Sequence, residues 1–319
     1  MTHQLDPLNQ SFVDTIAGGP DPHILGYEGA RKALEDLQKH ETATDIVTET
    51  VYIPAEGGST TVVIFRSTIG PKVRPVVFYA HGGGWIMGSP TSCAPMMEDL
   101  ARQSGAAIVF PYYTPAPDKQ YPFQFEQTYK ALAHIVRYGD DYNLQTESLV
   151  LAGDSAGGHM VIAIMQMAMK RTLPAKVSHM ILFYPCVDTH MKMQSYETYK
   201  DGPFLPSNTM DWMIAAFIPN KKDRENGLTS PLSYMSDENL SRFPPTTVIL
   251  AEVDPLVDEG RAFGLRLQRA GVDTAVIRAE GQIHAFALVK PIRESATSRA
   301  ILELVAYKIR KALALIDAP

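Results

Sequence analysis

Leu149-Val-Leu-Ala-Gly-Asp-Ser-Ala-Gly-Gly158 joins a short apolar run to an uninterrupted helical pattern through Gly153-Asp-Ser-Ala-Gly157. A serine between glycines at this spacing is a candidate nucleophile elbow. The glycines let strand and helix approach around a strained turn, so that the Ser155 hydroxyl projects above the sheet edge. The helix that follows aims its N-terminal amides at a developing negative charge. A second glycine cluster, His81-Gly-Gly-Gly-Trp85, follows the apolar run 75–80. Three consecutive glycines cost more backbone entropy than a turn requires, so the backbone itself is expected to do chemistry. The N–H groups of Gly82, Gly83 and Gly84, with that of Ala156, form a candidate oxyanion hole. A phosphate cradle is the competing reading, but no Gly-Lys-[Ser/Thr] follows and no G-x-G-x-x-G with a distal acid is present.

An acyl-transfer serine needs a base, and the base needs an acid to orient it. Asp254 lies three residues past the apolar run 246–251, where a strand's C-terminal end would place it. His284 follows the next run, within Gly281-Gln-Ile-His-Ala-Phe286. Glu252, Asp258 and Glu259 compete with Asp254. Asp258 and Glu259 fall in the first turn of the next helix, where an anion stabilises the dipole without catalytic duty. His134, His159 and His179 fall on helical or strand patterns and read as structural, and His81 reads as a brace for the glycine loop.

The elements that would position these residues alternate. Strand patterns at 60–66, 75–80, 106–112, 149–152, 179–184, 246–251 and 274–279 are separated by helical patterns, among them 124–137, 158–170, 256–270 and 295–314. Most strands are apolar throughout, as strands buried on both faces are. The expectation is an α/β chain with a mostly parallel, doubly wound sheet. Two stretches break the alternation. Residues 1–45 and 186–235 are read as the two parts of a helical cap or lid, around core segments 46–185 and 236–319, the alternative being a frayed terminus and a helical excursion. Aromatic residues in the second part and beside the glycine loop, Phe204, Trp212 and Trp85, are the expected pocket wall.

The four motifs in this order resemble those of the bacterial-type hormone-sensitive-lipase-like carboxylesterases of the α/β-hydrolase fold. The matching residues are His81 to Trp85, Gly153 to Gly158, Asp254 to Gly260, and His284 to Phe286. The resemblance covers nearly the whole chain. It implies a Ser155, Asp254, His284 triad, oxyanion donors from the glycine loop and Ala156, and an N-terminal cap. One departure stands out: the segment that usually reads Tyr-Arg-Leu-Ala-Pro-Glu is Tyr113-Thr-Pro-Ala-Pro-Asp118 here. A structural ion pair is therefore expected to be missing or rerouted.

The expected reaction is hydrolysis of a short-chain carboxylic ester through an acyl-enzyme. An amidase or arylformamidase would use the same triad, and a non-catalytic ligand-binding relative is the distant alternative. No cluster of His, Cys and carboxylates has metal-ligand spacing, so no cofactor is expected. A formal charge of −6 offers no footprint for nucleic acid. The longest apolar stretches fall well short of the roughly 20 residues a bilayer demands. The partner expected is a small-molecule ester, with a homodimer left open. The polar N-terminus has no signal-peptide pattern and the two cysteines read as free thiols, so the cytoplasm is the expected address.

Overall fold

The computed structural model describes residues 4–41, 43–55 and 58–315, and the extreme ends of the expected cap and core segments fall outside them. Eight strands form one sheet in the order β1-β2-β4-β3-β5-β6-β7-β8. They are β1 (Ile46–Ala55), β2 (Gly58–Ser67), β3 (Arg74–Ala80), β4 (Ala107–Tyr112), β5 (Leu144–Asp154), β6 (Lys176–Phe183), β7 (Thr246–Val253) and β8 (Thr274–Ile283). Only β2 is reversed, antiparallel to β1 and β4 on either side, and all other neighbouring pairs are parallel.

Helices α1 (Pro7–Ile16) and α2 (Pro22–Leu37) precede the sheet, and α3 (Pro90–Ser104), α4 (Phe123–Tyr138) and α5 (Ala156–Arg171) cross between strands. Between β6 and β7 lie α6 (Gln194–Thr198), α7 (Ser207–Phe217), α8 (Pro231–Tyr234) and α9 (Asp237–Leu240). The chain closes with α10 (Val257–Arg269), α11 (Lys290–Arg293) and α12 (Ala296–Ala312).

The alternating Cβ direction of a strand divides β3 between two cores. Val76, Phe78 and Ala80 pack with Leu132 of α4, Met160 of α5 and Phe263 of α10. Val77 and Tyr79 pack on the other face with Met96 of α3 and Val305 of α12. Parallel strands covered on both faces explain the unbroken apolar runs.

Two elements depart from the sequence reading. β1 is an edge strand with Val47 and Tyr52 turned to solvent, so its apolar pattern is half wet and interrupted by Thr, Glu and Pro54. α3 contains Pro90 and Pro95, residues that read as breakers. Pro90 sits at the helix start, where its missing N–H costs nothing, and Ser89 and Ser92 close a capping box. Cys93 lies in this helix. It and Cys186 are buried free thiols.

The two stretches outside the alternation meet each other over the C-terminal ends of the strands. Tyr27 of α2 stacks on Trp212 of α7 at 4.9 Å, and Phe12 of α1 packs on Phe204 at 5.6 Å. Among the described residues no helix is long and apolar enough to cross a membrane.

Candidate active site

β5 ends at Asp154 and α5 begins at Ala156, so Ser155 alone makes the turn, at φ 54° and ψ −120°. A left-handed serine is strained, and its surroundings hold it there. The Ser155 N–H donates to Phe183 O at 2.8 Å, and its carbonyl accepts from Cys186 N at 3.2 Å. Gly157 is required by space, because a Cβ there would collide with Ala80 O.

Ser155 Oγ lies 2.9 Å from His284 Nε2, and His284 Nδ1 lies 2.7 Å from Asp254 Oδ2. The three residues come from the ends of β5, β7 and β8, and all are buried. Asp254 is held by the Leu256 N–H, which donates to Oδ1 at 2.9 Å. The competing acids face elsewhere. Asp258 accepts from Ser195 N at 2.9 Å, Glu259 from Val187 N at 2.8 Å and Glu252 from Gly281 N at 2.7 Å. Burial pushes the Glu259 carboxyl well above the usual range.

The glycine loop divides in a way the sequence reading did not foresee. The Gly82 N–H donates to Asp154 Oδ1 at 2.9 Å, so it is consumed within the protein and cannot serve an oxyanion. Its expected place in the hole is corrected on that ground. Among the described residues the N–H groups of Gly83, Gly84 and Ala156 have no partner, and Gly83, Gly84 and Ser155 line one cavity. Asp154, the variable residue of the elbow motif, also accepts from Tyr79 OH at 2.9 Å. Burial raises its pKa while these donors oppose the rise. An acid immediately before the serine in an otherwise apolar run was the available signal.

His81 is clamped between Phe110 and Tyr113, with parallel rings at 5.0 and 4.1 Å. Burial lowers its pKa to about 4, so the ring is neutral, and Nδ1 lies 2.9 Å from Gly82 O. The rings of the other three meet other partners, His134 pairing with Tyr142 OH, His159 with Thr229 O and His179 with Thr247 Oγ1.

The cavity above Ser155 has a volume of about 1150 Å³. Ala30, Ala33, Leu34 and Leu37 form one wall, successive positions on a single face of α2. Phe204 also lines the cavity. Trp85 and Trp212, expected beside it, lie outside the lining. Trp85 is fully buried and stacked on Phe217 at 4.7 Å, because its ring turns into the core below the glycine loop. Trp212 is spent on Tyr27, joining the two stretches that cover the site.

The ion pair expected to be missing or rerouted is rerouted, with its cation on α2. Arg31 Nη2 lies 3.1 Å from Asp118 Oδ2.

A strained serine at a strand-to-helix turn, a histidine and an acid from later strands, and a glycine loop over an apolar cavity define an α/β-hydrolase. Residues 77–288 match the α/β-hydrolase fold family, and the chain belongs to it, among the hormone-sensitive-lipase-like carboxylic ester hydrolases. It is 54% identical over 309 residues to an esterase of Gibberella moniliformis, covering 96% of this chain and 97% of that protein. The structure is similar to that of carboxyl esterase 2 from the fungus Tuber melanosporum, with TM-score 0.89 and 32% identity, covering 97% of this chain and 100% of that one. It is also similar to a thermostable esterase from Pseudomonas putida, with TM-score 0.93 and 30% identity, covering 97% and 98%. Both fungal and bacterial proteins are among these relatives.

Proposed function

We propose that the chain hydrolyses short-chain carboxylic esters by covalent catalysis at Ser155. The observation that carries this is the continuous hydrogen-bonded line from Ser155 Oγ through His284 to Asp254, at a cavity that Gly83 and Gly84, whose amides are unpartnered, also line. His284 takes the hydroxyl proton as Oγ attacks the ester carbonyl. The negative charge that develops on the carbonyl oxygen is received by the free amides. His284 then protonates the departing alcohol, and Asp254 holds the imidazole with its Nδ1 proton facing the carboxylate. Water attacks the acyl-enzyme with His284 as base again, releasing the acid and regenerating Ser155.

Residues 1–45 and 186–235 act in this reading as the cap. Each CH₂ buried in the cavity contributes about 0.8 kcal/mol. Phe204 and the apolar face of α2 line the space open to the acyl chain, and in this reading the optimum lies at roughly two to eight acyl carbons.

The test is titration with an organophosphate such as paraoxon alongside a p-nitrophenyl ester panel from acetate to palmitate. One phosphoryl group per chain, located on Ser155 by mass spectrometry, should coincide with complete loss of esterase activity, and Ser155→Ala should take up none. Labelling at another residue, or a maximum at palmitate, would overturn the corresponding part of the proposal.

A further inference from the structure

The glycine loop is sewn to the segment that departs from the family pattern. Ile86 N and Met87 N donate to Gly83 O at 3.1 and 2.8 Å, closing a turn over residues 83–87. Ala116 N donates to Trp85 O at 2.8 Å, and Tyr113 OH donates to His81 O at 3.0 Å. Neither segment carries a cation to complete the joint. Arg31 supplies one from α2, more than fifty residues earlier in the chain. Its Nε donates to Ile86 O at 3.0 Å and its Nη2 to Ala116 O at 2.9 Å, while the guanidinium faces Asp118.

Ile86 and Ala116 are both fully buried, and among the described residues Arg31 is the donor their carbonyls receive. A planar fork suits this place better than a point charge, because two carbonyls on different segments are met by two N–H groups of fixed geometry. The Asp118 contact is of a different kind. That carboxylate is half exposed, so the pair is screened and weak beside the two carbonyl bonds. The same helix lines the cavity through Ala30, Ala33, Leu34 and Leu37. One side chain thus joins the wall that receives substrate to the turn that presents Gly83 and Gly84.

We infer that Arg31 is a positioning residue for the oxyanion hole: by holding Ile86 O and Ala116 O it fixes the turn whose Gly83 and Gly84 amides receive the transition-state charge. The inference rests on the proposed role of those amides. Its consequence is kinetic. A donor displaced from where the oxyanion forms weakens the transition state more than the bound ester, so the loss falls on kcat and leaves KM nearly unchanged.

Steady-state hydrolysis of p-nitrophenyl butyrate is measured for wild type, Ser155→Ala, Arg31→Ala, Arg31→Lys and Asp118→Ala, with melting temperatures for each. Arg31→Ala should lower kcat by about ten- to hundredfold, the range of a small misplacement of a catalytic group. Its KM should stay near that of wild type. Arg31→Lys, whose single ammonium reaches one carbonyl well, should fall between the two, and Asp118→Ala should match wild type. A raised KM with kcat intact in Arg31→Ala would overturn the inference, since Arg31 would then only support the cavity wall. If Arg31→Ala does not fold, Arg31→Lys decides: reduced kcat at unchanged melting temperature and KM supports the inference, and unchanged kcat overturns it. Failure of the underlying reading looks different. Wild type would then be inactive, or Ser155→Ala would retain activity, whatever the Arg31 variants do.

Discussion

The amide side chain of Asn9 holds the strand that carries His284. Its Oδ1 accepts from Ile283 N at 3.0 Å, one residue before the histidine, and its Nδ2 donates to Gln282 Oε1 at 3.0 Å. Ser295 OH donates to the same Gln282 oxygen, so a buried polar chain runs from α1 to the start of α12. Asn9 is fully buried. Asn9→Ala should leave the Ile283 N–H unsatisfied, at about 1–3 kcal/mol, and let His284 wander from Ser155. We expect kcat for p-nitrophenyl butyrate to fall by roughly tenfold, consistent with small misplacements of catalytic groups. Gln10→Ala, which removes only an exposed bond to Asp14, should have no effect. Equal activity of the two variants would show that the histidine is held without Asn9.

Asp254 and Asp258 make a sharper pair. In Asp254→Asn the side-chain oxygen can keep the Leu256 N–H, which leaves the NH₂ group facing His284 Nδ1. The imidazole must then present Nδ1 as acceptor and carry its proton on Nε2, where it cannot accept from Ser155. The expected loss in kcat is about ten-thousandfold. Asp258→Asn should cost little, because that carboxylate receives the Ser195 N–H at the start of α6 and does not touch the histidine. A pre-steady-state burst and kcat measured for both variants will check the assignment, and reversal of the two losses would move the acid one helical turn along.

What was legible in the sequence was local. Ser155 stands between glycines that the turn requires. Asp254 and His284 each follow an apolar run, so strand ends and loop residues could be read from a window of about ten positions. The links that hold those residues in place were not legible, because their partners are far apart in the chain. Gly82 meets Asp154 across two parallel strands, Arg31 meets Ile86 from α2, and Asn9 meets Ile283 from the opposite end of the chain. Polar residues on the amphipathic helices α1 and α2 look the same in sequence whether they face solvent or a buried carbonyl. Gln38 shows this well. A polar residue at the exit of α2, it is fully buried, donating to Ser92 O and Leu288 O and accepting from Lys290 N. Aromatic residues misled for a related reason. Trp85 and Trp212 have the size of pocket residues, and only the fold shows that both are spent on packing.

Phe204 and Trp212 should therefore separate specificity from stability. The Phe204 ring lines the cavity against Phe12, so Phe204→Ala should enlarge the cavity and move the acyl-chain optimum toward longer p-nitrophenyl esters. Trp212→Ala should leave the chain-length profile alone and lower thermal stability by about 2 to 3 kcal/mol, less than a fully buried ring because Trp212 is half-buried. Chain-length profiles and melting curves on the same preparations decide the matter. A profile that shifts in Trp212→Ala and not in Phe204→Ala would reverse the two roles.

Acid stability follows from buried histidines. Burial lowers the pKa of His81, His159 and His179 from 6.5 to about 4 in the folded chain. Between those values the unfolded chain binds protons that the folded chain refuses, so this contribution to stability is complete above pH 6.5 and is lost as pH falls toward 4. Asp154 and Glu259 act in the opposite sense. Their folded pKa values are raised by burial, so the folded chain keeps protons that the unfolded chain has released, and their contribution is lost as pH rises. A difference between two proteins cancels the carboxylates and isolates one ring. His159→Gln can still donate to Thr229 O, the bond made by Nε2, but does not titrate. Urea unfolding of both proteins between pH 4 and 7 should show a steeper decline in wild type, with the gap closing by up to about 3 kcal/mol as pH is lowered. Parallel curves would mean that His159 carries the same charge in the folded and unfolded chains.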